Sequence, residues 1–405
     1  MPLSRESDVM FCVDLPDSRV EVRGASWLEE TDAGLLPHRL PQWTQVHYPD
    51  AFFRLNVIQP SGVRLRFTTA ASTLTLHVAV SRTTVLLPTT TPDLIEASEA
   101  VAEPAAPEPF DLVIDGELIA SATAPQAGVM VLDFEAGTVV DEPGPTTPVS
   151  FDLPLADAPR TVEIWLPYRE HVRLVALEAD AEIVAAPVVS APRWVHYGSS
   201  ISHGAQAASP FGIWPAVAAT AAGVDLVNLG FSGAACLDPF VARAIRDEPA
   251  DVISLKVGIN ILNGDTFGRR MFRPLLHGFL DTIREGHPET PIVLASPIFC
   301  PIGETVPGPT GIDPNSPVTI FRTNGKPEDA ALGKLHLRAM REIIASVVDD
   351  RRALGDENLH YVDGLDLYGQ TDWTVLPMAD LLHPDPPAQR LMGMRFAPIL
   401  QALLP

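Results

Sequence analysis

The stretch Trp194-Val195-His196-Tyr197-Gly198-Ser199-Ser200-Ile201-Ser202-His203-Gly204 passes from an apolar run into a string of small residues. A short apolar run bounded by small residues reads as a buried strand that stops near Gly198 and turns directly into a helix. In open α/β folds, functional residues gather where such strands end. Ser200 is therefore expected at a sheet edge with its hydroxyl available.

Downstream, the pattern alternates strand and helix. Expected strands are Trp194–Tyr197, Val224–Leu229, Val252–Val257, Ile292–Ser296 and His360–Val362. Expected helices lie near 211–222, 237–247, 269–286 and 329–352, and one more follows His383. Such alternation means a parallel sheet covered on both faces, a three-layer α/β/α domain. The Pro- and Gly-rich segment from Cys300 to Lys326 follows the fourth strand and is expected to overhang the strand ends as a loop.

Upstream of residue 188 the period is two. Val63–Thr69 and Ser72–Val80 alternate apolar and polar residues, and 111–120 reads as a hairpin turning at Asp115-Gly116. Further short strands at 129–134, 149–153, 162–166 and 172–177, with no helical period between them, imply a two-sheet β-sandwich. The Pro/Thr/Ala/Glu-rich stretch 87–109 reads as a surface loop. The expected organisation is a sandwich over 1–188, accessory to a catalytic domain over 189–405. Carbohydrate binding, shaping of the site's rim and dimerisation all stay open for the accessory domain.

Composition narrows the function. The 405 residues carry 28 Lys and Arg against 51 Asp and Glu, a net charge of −23. Nucleic acid and anionic membranes would be repelled. No run is long enough to span a membrane, and Met1–Met10 lacks the apolar core of a secretion signal. Three scattered cysteines, Cys12, Cys236 and Cys300, make neither a disulfide framework nor a zinc site, which suits a reducing cytoplasm. His-Glu-x-x-His, Cys-x-x-Cys and phosphate-loop patterns do not occur, so no metal or cofactor is expected. The expected partner is a small-molecule ester or acyl donor, and a homo-oligomer is compatible with the sequence.

Four motifs carry chemistry. Ser200 can be a nucleophile, while Ser199 suits a helix cap and Ser202 a local bond. The Gly-x-Ser-x-Gly elbow of α/β-hydrolases is absent because position 202 is serine. Gly230, in Asn228-Leu229-Gly230-Phe231-Ser232-Gly233, lets a backbone N–H approach a substrate oxygen, although a tight turn would need glycine equally. Asn260, two residues after Gly258, can donate its amide to an oxyanion, whereas Asn263 reads as a turn former. Asp380-Leu381-Leu382-His383 is the chain's only Asp-x-x-His, a spacing that puts an acid and an imidazole on one face of a turn. Among the other ten histidines only His360 has an acid three residues before it, Glu357; His360, His77 and His196 read as structural, and His203 should point along its helix.

In this order, Ser200, Gly230, Asn260 and His383 resemble the four blocks of the SGNH (GDSL) hydrolase superfamily. The resemblance covers about residues 192–405. It implies a flavodoxin-like catalytic domain with Ser200 as nucleophile, His383 as base and Asp380 orienting it. The Ser200 N–H, the Gly230 N–H and Asn260 would form the oxyanion hole. Ser199 stands where the family commonly has Asp, and so does Ile261, which sets the chain apart from the lipase-like branch. Asp363–Gly369 resembles the Gly-x-Asp-Leu-Tyr signature of a two-domain bacterial branch with a jelly-roll-like N-terminal sandwich; Asp366 and Tyr368 read as structural in preference to site-lining. The implied activity is a serine esterase working through an acyl-enzyme, preferred over the alternative of an acyltransferase that passes the acyl group to an alcohol. A non-catalytic ligand-binding protein is the remote alternative.

Overall fold

The computed structural model describes residues 10–86, 106–133, 136–188 and 190–404. The first nine residues, most of the stretch 87–109 and the end of the strand expected over 129–134 lie outside the described residues. Two compact units are present. One takes the chain up to Arg39, then Pro49–Ser190 and Ser209–Phe211; the other takes Leu40–Tyr48, Ala191–Ala208 and Gly212–Pro405. The division thus differs from a single boundary at 188/189, because two short segments change sides.

The first unit is a β-sandwich of one eight-stranded and one six-stranded sheet. Its longest strand, Thr73–Leu86, pairs antiparallel with His171–Ala179 and parallel with Gly128–Asp133. Alternate residues Leu74, Leu76, Val78 and Val80 of this strand share one core with Leu65, Phe67, Leu112, Val162 and Ile164 of the other sheet. That is the period-two pattern put to use. The Pro109–Ile114 and Glu117–Thr123 strands turn at Asp115-Gly116, both at positive φ, 50° and 83°. A helix, Ala51–Ile58, corrects the expectation that no helix interrupts the strands. Asp50 caps it by accepting the Phe53 N–H at 2.7 Å, and Leu55 and Ile58 pack on Leu36, Met130 and Leu132. Eight residues are too few for a helical period to show, and such a helix is stable only against its packing partner.

The second unit holds a five-stranded parallel sheet. Its strands are β1 (Arg193–Gly198), β2 (Asp225–Gly230), β3 (Val252–Lys256), β4 (Ile292–Ala295) and β5 (Leu359–Val362), in the order 2-1-3-4-5. This is the flavodoxin-like order, whose crevice opens where β1 and β3 diverge. The register is level: Gly198 pairs with Gly230 on one side and with Lys256 on the other. The helices that matter for the site are α1 (Ser200–His203), α2 (Trp214–Ala222), α3 (Pro239–Asp247), α4 (Ile259–Gly264), α5 (Arg269–Gly286), α6 (Leu337–Ala353) and α7 (Pro386–Leu403). Trp194 packs on Trp214 of α2 and Phe396 of α7, while Tyr197, on the opposite face of β1, stacks on Phe279 of α5. Both faces of the sheet are therefore covered, as an almost wholly buried β1 requires. The helix expected over 329–352 is split: Gly333, at φ 91°, ends a 3₁₀ turn (Pro327–Leu332), and α6 starts afresh after His336. Among the described residues no helix is long and apolar enough to cross a membrane.

A buried polar chain underlies β1. His196 has Nδ1 2.7 Å from Ser254 Oγ and Nε2 2.8 Å from Ser202 Oγ, and Trp194 Nε1 donates to Ser254 Oγ at 2.8 Å. Burial, with the charge of Lys256 adding to it, pushes the His196 imidazole down to about 3. Unfolded, the same group titrates near 6.5. Between those values the unfolded chain binds a proton that the folded chain refuses, so stability rises with pH and is lost as pH falls through the window, by about 1.4 kcal/mol per pH unit for this group. The thermal-unfolding midpoint should therefore drop on going from about pH 7.5 to about pH 5, and His196→Gln should flatten that dependence. An unaltered slope in the variant would refute the assignment.

Candidate active site

Gly198 ends β1 at a point where a Cβ would stand 2.3 Å from Ser202 Oγ and 3.1 Å from His196 Nε2. Only glycine lets the chain fold straight into α1. Ser199 caps that helix, its hydroxyl accepting the Ile201 N–H at 3.4 Å, and Ser200 opens it, 8% exposed. Ser200 Oγ lies 3.0 Å from His383 Nε2, and His383 Nδ1 lies 2.7 Å from Asp380 Oδ2. A carboxylate can only accept. The proton therefore sits on Nδ1, and Nε2 keeps its lone pair for the serine hydroxyl.

The Asp380–His383 turn is built by the acid itself. Asp380 Oδ1 accepts the backbone N–H groups of Leu382, at 2.9 Å, and His383, at 2.7 Å. Burial alone would raise the Asp380 carboxyl, but the bond to His383, its charge and the two backbone N–H groups outweigh it, and the group is held below its ordinary value. It stays ionised, as an acid that must stabilise an imidazolium should.

The ends of β1, β2 and β3, level in the sheet, carry a set of donors. Gly258, at φ 126°, lets β3 turn into α4, which carries Asn260. Asn260 Oδ1 accepts the Ala235 N–H at 3.1 Å, which fixes the amide; its Nδ2 is buried and has no partner among the described residues. Leaving a buried donor unpaired costs about 1–3 kcal/mol, which an acceptor bound at this amide would relieve. The Ser200 N–H likewise has no acceptor among the described residues.

Gly230 differs from its expected part. Its N–H donates to Asn228 Oδ1 at 3.1 Å, and Asn228 Nδ2 in turn donates to Ser202 O at 2.9 Å. A Cβ at Gly230 would stand 2.4 Å from the His203 nitrogen. This glycine brings β2 against α1, and its N–H is already engaged. Three residues on, Gly233 sits at φ 67° in the same loop, and its N–H has no acceptor among the described residues.

Other side chains fall elsewhere. Asn263 is helical and its Oδ1 accepts the Thr310 hydroxyl at 2.9 Å, tying down the Pro-rich segment. His360 lies on β5. Asp366 is exposed, and Tyr368 is buried with its hydroxyl donating to Leu376 O. Three contributors were not singled out in the sequence. Gln389 is buried; its Oε1 accepts the Trp214 N–H at 3.0 Å and its Nε2 donates to Ala205 O at 3.1 Å and Pro384 O at 3.4 Å, joining the turns that carry serine and histidine. Lys256 is buried at the end of β3, pushed down to about 8 by burial and by the charge of Arg341. The third is Phe321. The 300–326 segment, expected as a loop, contains a two-stranded hairpin, Thr310–Ile312 with Phe321–Thr323, which sets Phe321 against His383.

Comparisons with known proteins agree with the fold. Residues 192–300 match the model of the GDSL-like lipase/acylhydrolase family. A salicylyl-acyltransferase from a tetracycline biosynthetic pathway is 30% identical over 98% of both chains, with a TM-score of 0.76. The chain belongs to the GDSL-like lipase/acylhydrolase family. A Bacteroides ovatus protein described as a GDSL-like lipase (20% identical, 98% of both chains, TM-score 0.66) and a family two carbohydrate esterase from Cellvibrio japonicus (15%, 98% of both chains, TM-score 0.54) share its fold. No curated protein sequence matches the chain. As a GDSL-family protein it is an enzyme of the esterase or acyltransferase kind, with a flavodoxin-like domain and an N-terminal sandwich.

In this GDSL enzyme Ser200→Ala should reduce turnover on an activated aryl ester by on the order of 10⁴–10⁶ with an unchanged melting temperature. Asp380→Asn, which loses the charge but keeps the shape, should cost about 10³–10⁴. A Ser200→Ala enzyme retaining a tenth of its activity would remove serine from the mechanism.

Proposed function

We propose that this protein is a serine acyltransferase that takes an acyl group from a small ester or thioester onto Ser200 and passes it to an alcohol. One observation carries the first half: an Asp380–His383–Ser200 relay of 2.7 and 3.0 Å, with an Asn260 amide at a neighbouring strand exit that is buried and has no partner among the described residues. Ser200 Oγ attacks the donor's carbonyl carbon while its proton passes to His383 Nε2. The resulting oxyanion is taken up by the Ser200 N–H, Asn260 Nδ2 and the Gly233 N–H, which replaces Gly230 in this role. Collapse breaks the bond to the leaving group, which departs with the proton from Nε2. The acceptor alcohol then gives its proton to Nε2 and attacks the acyl-enzyme; collapse breaks the bond from the acyl carbon to Ser200 Oγ, which takes the proton back from Nε2 as the new ester leaves.

Transfer is favoured over hydrolysis by the 30% identity to an acyltransferase across nearly the whole of both chains. The sequence alone preferred water, the commoner acceptor in the superfamily. Donor and acceptor are taken to be small molecules, since a net charge of −23 repels nucleic acid and anionic lipid, and a cytoplasmic setting belongs to the same proposal.

Intact mass should reveal a stoichiometric acyl adduct on the wild-type chain and none on Ser200→Ala. With alcohols added to that adduct, release should accelerate and saturate for a preferred acceptor far below the concentration of water. A release rate indifferent to every acceptor would make the enzyme an esterase. Asn260→Ala should slow acylation by about 10²–10³ with little change in apparent substrate binding, whereas Asn263→Ala should not. Equal losses in the two variants would move the oxyanion hole elsewhere.

A further inference from the structure

The Asp380–His383 turn is not at rest by itself. Leu381 has φ 65°, a left-handed conformation that is unfavourable for a bulky side chain and persists only where the surroundings impose it. The restraints come from the segment after β4. Phe321 N–H donates to Asp380 O at 2.9 Å, and Cys300 Sγ lies 3.4 Å from Leu381 O. The Phe321 ring stands edge-on to the His383 imidazole, with centroids 5.5 Å apart and planes at 78°.

The segment is itself braced. Thr310 is tied to Asn263, Asn324 N–H donates to Pro309 O at 2.8 Å, and the Thr323 hydroxyl donates to Ile302 O. Arg341 donates to Glu304 Oε1 at 2.6 Å and to the carbonyls of Pro297 and Ile298. At Gly308 a Cβ would stand 1.7 Å from Leu262 O, so this part of the segment lies directly on α4, which carries Asn260. The hairpin is therefore a fixed wall that touches both sides of the site.

The hydrogen bonds at Nδ1 and Nε2 hold the two ends of the imidazole but leave its tilt about the line joining them unrestrained. An aromatic edge packed on the ring restrains that tilt and removes water from the same face. We propose that Phe321 is a positioning residue for His383, and that the wall it anchors directs the acyl-enzyme to a bound alcohol in place of water. This rests on the acyl-transfer reading above. Phe321 forms no bond to the reacting atoms; it acts by orientation and by excluding water.

The test compares the wild type with Phe321→Ala, Phe321→Leu and Phe321→Tyr, each checked for an unchanged melting temperature. Each is acylated with an aryl ester, and the adduct is divided between water and a saturating simple alcohol. Phe321→Ala should shift the ratio of alcohol ester to free acid toward acid at least tenfold and lower kcat for acylation with little change in KM. Phe321→Leu, which fills space without a flat edge, should recover only part of the ratio, and Phe321→Tyr should recover nearly all of it. An unchanged ratio and unchanged kcat in Phe321→Ala would overturn the proposal, and so would full recovery by Phe321→Leu. If the wild type forms the adduct but uses no alcohol, the transfer reading fails by itself. The kcat loss and its rescue by Tyr but not Leu then still decide whether Phe321 positions the histidine.

Discussion

Parallel strands in register end at one level, and the active site depends on that constraint. Gly198, Gly230 and Lys256 stand side by side across β2, β1 and β3. Whatever follows each within a few residues is delivered to the same edge. Ser200 lies two residues past one strand end, Gly233 three past another and Asn260 four past the third. The 2-1-3-4-5 order separates the β1 and β3 crossovers, and Ser200 and Asn260 lie just past those two strand ends. The acid and base come from the other end of the domain's sequence, after β5.

Holding these parts together falls to buried polar groups and to glycines where nothing larger fits. Ser202, His196 and Ser254 link α1 to β1 and β3 with each group satisfied, an arrangement that specifies one packing because any partial version would strand a buried polar atom. Asn228 and Gln389 work in the same way from β2 and α7, each bonding backbone carbonyls or amides that no strand or helix satisfies. The glycines act by close approach. Gly198 and Gly230 let two strands touch the first turn of α1, and Gly393 lets α7 lie against α2, where a Cβ would come within 2.6 Å of Val217.

Backbone strain is part of how the histidine's turn is held. Ser200 opens a short capped helix, while the histidine's turn contains Leu381 in the left-handed region and is held by bonds from a braced hairpin. The two arrangements suit their tasks. A serine must be presented at a fixed point, whereas a histidine that trades a proton with two partners needs its orientation imposed from several directions.

The candidates Ser200, His383 and Asp380, which the structure brings together, the five parallel strands and the division into sandwich and α/β halves were legible in the sequence, since each leaves a local mark. Buried parallel strands are apolar throughout, half-buried strands alternate, and an acid three residues before a histidine needs only a turn to meet it. The missed features are those whose cause lies far along the chain. The Ala51–Ile58 helix is too short for a period and exists because Leu36, Met130 and Leu132 cover it. Gly230 looked like a donor because a strand-exit glycine suits either role; only the position of the Asn228 side chain shows its N–H already engaged. Phe321 and Gln389 have no motif, being ordinary residues that matter through what folding places beside them, 62 and 184 residues away in sequence for Phe321–His383 and Gln389–Ala205. The sequence by itself determined which groups could do the chemistry and which segments would be strands. The tertiary structure alone decided which N–H groups stayed free, how the histidine was held and what closed over it, because those are properties of contacts between distant segments and no local pattern encodes them.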